Sequence, residues 1–183
     1  MTHAEREALF VRYENGPTLL RAAWASLPIE ARRWRPSPGK WSAHEIIVHC
    51  ADSETNAAMR IRYLAGETAP VIAGYDQDRW AADFDYHGLP VDLSFTQIES
   101  ARAWTAAFIR SLPDGAWSRA GRHTEYADPY TAEKWLSVYA EHLEVHARQR
   151  VLVDDAGARG GEIDAASDRP AGSLCAQRRY GGL

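Results

Sequence analysis

Trp41-Ser42-Ala43-His44-Glu45-Ile46-Ile47-Val48-His49-Cys50 is the stretch on which the fold turns. Ser42 followed three residues later by Glu45 is a capping box: each side chain satisfies a backbone N–H that the first turn of a helix leaves free. The apolar residues that follow, Ile46, Cys50, Ala57, Ile61 and Leu64, recur at helical spacing, and Gly66 stops the run. Upstream, Leu9, Phe10, Tyr13, Leu20, Ala23, Trp24 and Leu27 give a first helix over about 4–27. Asn15-Gly16-Pro17 predicts a break or kink inside it, because proline lacks the N–H that a helix interior needs. Downstream, Ser94 with Gln97 reads as a second capping box, opening a third helix that ends near Leu112-Pro113. Thr131 caps a fourth, which runs to about Val153 with Trp135, Val138, Tyr139, His142, Val145 and His146 on one side.

Four amphipathic segments without an alternating β pattern predict an all-α four-helix bundle. Long connections join helices 2 and 3 (66–93) and helices 3 and 4 (113–129), the first with a short helical piece around Asp76 to Phe84. Connections of that length cross a bundle or cover a site. The bundle is expected to occupy residues 1–155. Residues 156–183, rich in Gly, Ala, Arg, Asp and Ser, are expected to form a flexible or surface-draped tail with little to bury.

The chain has 183 residues, 45% of them hydrophobic, which suits one globular domain with a real core. A net charge of −4 disfavours nucleic acid, whose phosphates would select a basic face. No run of about 18 apolar residues is present, so no membrane span is expected. The opening Met1-Thr2-His3-Ala4-Glu5-Arg6 is charged, unlike a signal peptide. The two cysteines, Cys50 and Cys175, fit no disulfide framework, and a cytoplasmic location is expected. Cys50 reads as a small core residue.

His142 and His146 stand four apart on one helix, so their side chains differ by about 40° around the axis and can chelate one ion. His49 lies on the inner face of the second helix, between Ile46 and Cys50. A histidine there needs a partner for its ring nitrogens; a carbonyl or carboxylate serves as well as a metal, and the pattern alone leaves both open. His44 sits about 140° around the helix from His49 and cannot share its site. His3, His87 and His123, at an end or in loops, read as solvated. Three neutral histidines would leave a coordination position open, as in catalytic rather than structural sites. Zinc, nickel, iron and manganese all suit imidazole, and the ligand set does not choose among them.

Three strings carry a family resemblance: Gly39 to Glu54, Tyr75-Asp76-Gln77-Asp78-Arg79-Trp80, and Glu141-His142-Leu143-Glu144-Val145-His146-Ala147-Arg148-Gln149. In content, order and separation they resemble the DinB-like (DinB/YfiT-like) metal-binding four-helix bundles, over about residues 4–153. In that family one histidine comes from the helix opening with Trp-Ser and two from His-x-x-x-His on the last helix. The resemblance therefore implies metal ligation by His49, His142 and His146. It also implies a small-molecule substrate, and a homodimer is possible. Some members of the family are transferases using low-molecular-weight thiols such as bacillithiol or mycothiol, and others are labelled hydrolases. Thiol transfer to a small electrophile is the leading expectation, since coordination removes a thiol's proton near neutral pH. Hydrolysis with metal-activated water is the alternative, with Asp52 or Glu45 as the nearby carboxylate. A non-catalytic metal-binding bundle is the third reading. Gln149 and Tyr139, three residues from His146 and His142, could line the pocket.

Overall fold

The computed structural model describes residues 1–158 apart from Asp128, with side chains through Gln149. Four long helices form the bundle: α1 (His3–Ala25), α2 (Ala43–Gly66), α4 (Val91–Arg110) and α5 (Ala132–Ala158). The short α3 (Gln77–Asp83), capped by Asp76, lies in the connection before α4. Helix α1 packs chiefly on α5 and α2 on α4, and the α1–α4 and α2–α5 contacts close the ring. Among the described residues, no helix is long and apolar enough to cross a membrane. Beyond Ala158 the expected tail lies outside the described residues.

The capping box of α2 forms as expected: Ser42 Oγ accepts from the Glu45 N–H at 3.2 Å, and Glu45 Oε2 accepts from the Ser42 N–H at 2.8 Å. Arg35 adds an ion pair to the same carboxylate. Thr131 Oγ1 likewise accepts from the Lys134 N–H at 3.0 Å, at the head of α5. The Ser94–Gln97 box does not form. Helix α4 starts at Val91 behind Pro90, whose fixed φ begins the helix a turn earlier. Ser94 Oγ then donates back to the Pro90 carbonyl, and Gln97 reaches Thr55.

Two long-range features depart from expectation. The first is a small sheet in the order β1 (Val71–Ile72), β2 (Ala120–His123), β3 (Tyr130–Thr131), with β1–β2 parallel and β2–β3 antiparallel. It ties the two long connections together. Strands of two to four residues are too short for a period-two pattern to register.

The second is that α1 runs unbroken through Pro17. Proline removes the N–H that would bond to the carbonyl of Tyr13, four residues back. Arg102 replaces it, donating from Nη1 to the Tyr13 carbonyl at 2.6 Å. Gly16 makes room: a Cβ there would stand 3.2 Å from both Arg102 Nη1 and Leu143 Cβ. Arg102 also forks onto Glu54 through Nε and Nη2, both at 2.7 Å, and donates to the Tyr139 carbonyl at 2.8 Å. One polar layer thus draws on all four bundle helices. It divides an apolar cluster around Tyr13, Ala57, Ile61, Trp117 and Trp135 from a second around Leu20, Ile46, Ile47, Phe95 and Ile98.

Candidate metal centre

His49 of α2 meets His142 and His146 of α5 beside that polar layer. One ligand-capable atom from each lies within 4.8 Å of the others, and all three residues are buried. Ring centroids stand 5.6 Å (His49–His142), 5.0 Å (His49–His146) and 4.6 Å (His142–His146) apart. Trp41 covers His49, with its ring centroid at 4.8 Å.

Neighbouring side chains select the tautomers. Glu54 Oε1 lies 3.1 Å from His142 Nδ1, and Gln149 Oε1 lies 2.7 Å from His146 Nδ1. Both acceptors hold the ring proton on Nδ1, so both Nε2 atoms carry lone pairs. Those two Nε2 atoms face each other at 3.2 Å. Two lone pairs at that distance repel unless a cation lies between them. Nitrogens at 2.0–2.1 Å from a tetrahedral ion would be separated by about 3.3 Å. His49 completes the case: its Nδ1 and Nε2 are both buried and without a hydrogen-bond partner. A buried imidazole with neither nitrogen satisfied is costly, and metal ligation removes the deficit. The residues present therefore fit a divalent cation. Ser53 Oγ, 3.4 Å from His142 Nε2, borders the same face. From the other side, an apolar recess lined by Leu20, Ala23, Trp24, Ala43, Ile46 and Ile47 reaches His146.

The electrostatics prepare neutral ligands. Burial pushes His49 well below the usual imidazole range, aided by His146 and His142. Burial, then His142, pushes His146 down to about 3, against the Gln149 bond and the Glu54 charge. A metal displaces no proton from such rings at neutral pH. Glu54 is the opposite case. Burial would raise its pKa, but the Arg102 charge and the hydrogen bonds from His142 and Arg102 outweigh that and keep it ionised. Orienting carboxylates of this kind fix a ligand's tautomer and raise its basicity.

These shifts predict acid lability of the metal-free protein. Unfolded histidines titrate near about 6.5. Above that value both states are neutral and the shifts contribute nothing. Below it the unfolded chain takes protons that folded His49 and His146 refuse. Stability should therefore fall as pH drops, by up to about 1.4 kcal/mol per pH unit for each histidine. Melting of the metal-free protein between pH 7.5 and 5 checks this; a flat profile would contradict the burial of neutral rings.

Of the remaining histidines, His3 is exposed as expected. The solvated reading fails for His123, which is 4% exposed and packs edge-on to Tyr126 and at a tilt against Tyr130, with both ring centroids at 4.7 Å. His87 is partly covered, with Nε2 2.7 Å from Ser42 Oγ. His44, away from the metal ligands as expected, is buried with Nε2 2.9 Å from the Leu89 carbonyl. In each case a long connection folds back over the helix ends. Cys50 is fully buried, as a core residue should be. Glu45 serves the α2 cap rather than the centre. Asp52 binds the Tyr86 hydroxyl, and burial raises its pKa against that bond. Sequence reasoning did not give Glu54 and Arg102 their roles. The only local signals were a carboxylate on the inner face of α2 and an arginine between Ile98 and Ala106.

Comparison with known proteins identifies the family. A protein of Oceanobacillus iheyensis named as a proposed metal-dependent hydrolase is 31% identical over 133 residues, covering 73% of this chain and 76% of that one. A Bacillus licheniformis protein of the same description is 29% identical over 138 residues, covering 73% and 76%. The solved structure of YfiT from Bacillus subtilis, described as having an unusual four-helix bundle topology, superposes with a TM-score of 0.80 at 20% identity, over 86% of this chain and 90% of that one. At that identity the likeness bears on the fold. Residues 12–149 match the DinB superfamily, a span that runs from the first helix to Gln149 and takes in all three histidines. The chain belongs to the DinB superfamily.

Proposed function

We propose that this protein is a divalent-metal-dependent enzyme that transfers a low-molecular-weight thiol to a small electrophile, with His49, His142 and His146 holding the metal. The observation that carries the reading is the three-imidazole face together with the state of the carboxylate next to it. When bound, a divalent cation with an open position lowers the pKa of a small ligand such as water or a thiol. Glu54 is committed to Arg102 and His142, so it holds a ligand ring and is not free to take a proton. Cys50 is sealed in the core. A thiol, with a pKa near about 8.5 against about 15.7 for water, needs no protein base once a cation is present. An apolar recess lined by Leu20, Trp24, Ile46 and Ile47 borders His146. A pool of reduced thiol places such an activity in the cytoplasm.

Hydrolysis is the second reading. The names of the relatives point to it, and Asp52, three residues along α2 from His49, has the raised pKa of a general base. The test loads the protein with cobalt and titrates candidate thiols such as bacillithiol and mycothiol, following metal-centred absorption and proton release. Thiol transfer expects a thiolate-to-cobalt band with release of one proton. No perturbation by any thiol, together with ester or amide cleavage, would replace transfer with hydrolysis. Neither outcome would leave a metal-binding bundle without catalysis.

Gln149 supplies an independent check on the centre. Gln149→Leu removes the acceptor that orients His146, and metal affinity should fall by about 10- to 100-fold. Competition against a chelator measures it; unchanged affinity would mean that the bond does not position the ring.

A further inference from the structure

Arg60, on the second half of α2, is half-buried, and no carboxylate among the described residues pairs with it. Its Nη1 donates to the Tyr139 hydroxyl at 2.8 Å and its Nη2 to the Ala73 carbonyl at 2.6 Å. The Tyr75 ring stands 5.8 Å from the guanidinium carbon. Arg6, Arg12 and Arg102, which also reach the bundle, pair with Asp114, Glu144 and Glu54. Arg60 is thus a partly desolvated cation whose partners are neutral, an arrangement proteins seldom leave uncompensated.

A second deficit of the same sign lies beside it. Arg60 holds Ala73, and the preceding Ile72 pairs in register with His123. His123 Nδ1 accepts from the Glu125 N–H at 3.1 Å, so the ring proton sits on Nε2. That Nε2 is buried without a partner. Burial and then the Arg60 charge lower His123 to about 4, so the ring is a neutral donor near pH 7. A cation without an anion and an N–H without an acceptor share one neighbourhood. Both deficits are met by a group with negative oxygens.

That neighbourhood adjoins the metal centre on two sides. Tyr139, whose hydroxyl Arg60 binds, lies with its ring centroid 5.8 Å from that of His142. Tyr75, the ring beside Arg60, lies within the influence of the Ser53 hydroxyl, which stands 3.4 Å from His142 Nε2. We propose that Arg60, assisted by the His123 N–H, binds a carboxylate of the substrate and holds the molecule with its reacting end at the three-histidine centre. The charge count favours a carboxylate over a phosphate: one guanidinium fork and one neutral donor match a planar monoanion, whereas a dianion needs more cations. This deepens the proposed function, because it rests on the three-histidine centre being where reaction occurs.

The test separates the two ideas. Cobalt-loaded full-length protein is titrated with 3-mercaptopropionate and with its uncharged amide. The acid should bind about tenfold or more tightly than the amide, as expected for a charge-assisted hydrogen-bonded pair. In Arg60→Gln that preference should disappear. In parallel, isotope-labelled metal-free protein is titrated with propionate and with propionamide. Propionate alone should shift the Arg60 Nε and His123 side-chain resonances, and His123→Phe, which keeps an aromatic ring against Tyr126 and Tyr130, should weaken it. The comparison of acid with amide needs no variant, so it stands if Arg60→Gln fails to fold. Equal binding of acid and amide would overturn the carboxylate site, as would a preference that survives Arg60→Gln. A cobalt band that still responds to both thiols would then leave the metal reading intact. Conversely, propionate acting through Arg60 with no thiol touching the cobalt would retain the site and remove the thiol reading.

Discussion

Replacing His49 with leucine is expected to abolish metal binding while leaving the metal-free protein at least as stable as the parent. Both effects follow from one side chain. His49 would supply the ligand from α2, and without it the pair on α5 would retain only two imidazoles. Without metal, both ring nitrogens are buried and unsatisfied. Such a group costs about 1–3 kcal/mol, and an apolar residue of similar volume beneath Trp41 relieves it. The parent should gain about 4 kcal/mol from a metal present at about a thousand times its Kd, and the variant nothing. Melting with and without zinc, alongside bound-metal analysis, reads both quantities. A variant that keeps one ion per chain and the same thermal gain would remove His49 from the centre. A large loss of stability in the metal-free variant would mean that the ring is satisfied by other means.

The second large effect should come from Arg102, which touches no predicted ligand. Arg102→Met removes the fork on Glu54, the donor to the Tyr13 carbonyl that Pro17 releases, and the bond to the Tyr139 carbonyl. Glu54 would remain as a fully buried charge with His142 as its remaining partner. Breaking one side of a buried pair costs about 3–5 kcal/mol, which in a chain of this size lowers Tm on the order of 10 °C. Glu54, no longer anchored by the Arg102 fork, also holds the His142 ring less firmly, so metal affinity should fall with stability. The double variant Arg102→Met/Glu54→Leu separates the causes. It should recover much of the stability, since an apolar replacement for a buried pair is often neutral, but not the metal affinity. If the double variant is as unstable as the single one, the layer acts through the Tyr13 and Tyr139 carbonyls rather than through charge.

The common wall of the centre, with His142 and His146 on one side of α5, is a property of helix geometry and is complete within five residues of sequence. The start of α2 is equally local, since Ser42 and Glu45 satisfy each other's backbone whatever the rest of the chain does. The apolar period of the four long segments, read one turn at a time, was enough for an all-helical bundle. The features the sequence did not disclose all depend on groups far apart in the chain. Pro17 reads as a breaker because the donor that replaces its N–H is Arg102, 85 residues away. Glu54 reads as one more carboxylate because the His142 ring it orients is 88 residues away. His123 reads as a loop residue because its burial depends on a sheet whose strands pair across the two connections. Periodicity and caps are energies of neighbouring residues, so the sequence alone determined the helices and the inward faces of the histidines. The partner of a buried charge or of a freed carbonyl is set by which side chains packing brings together, and only the tertiary structure decided that His49 would meet the α5 pair with Glu54 and Arg102 behind them.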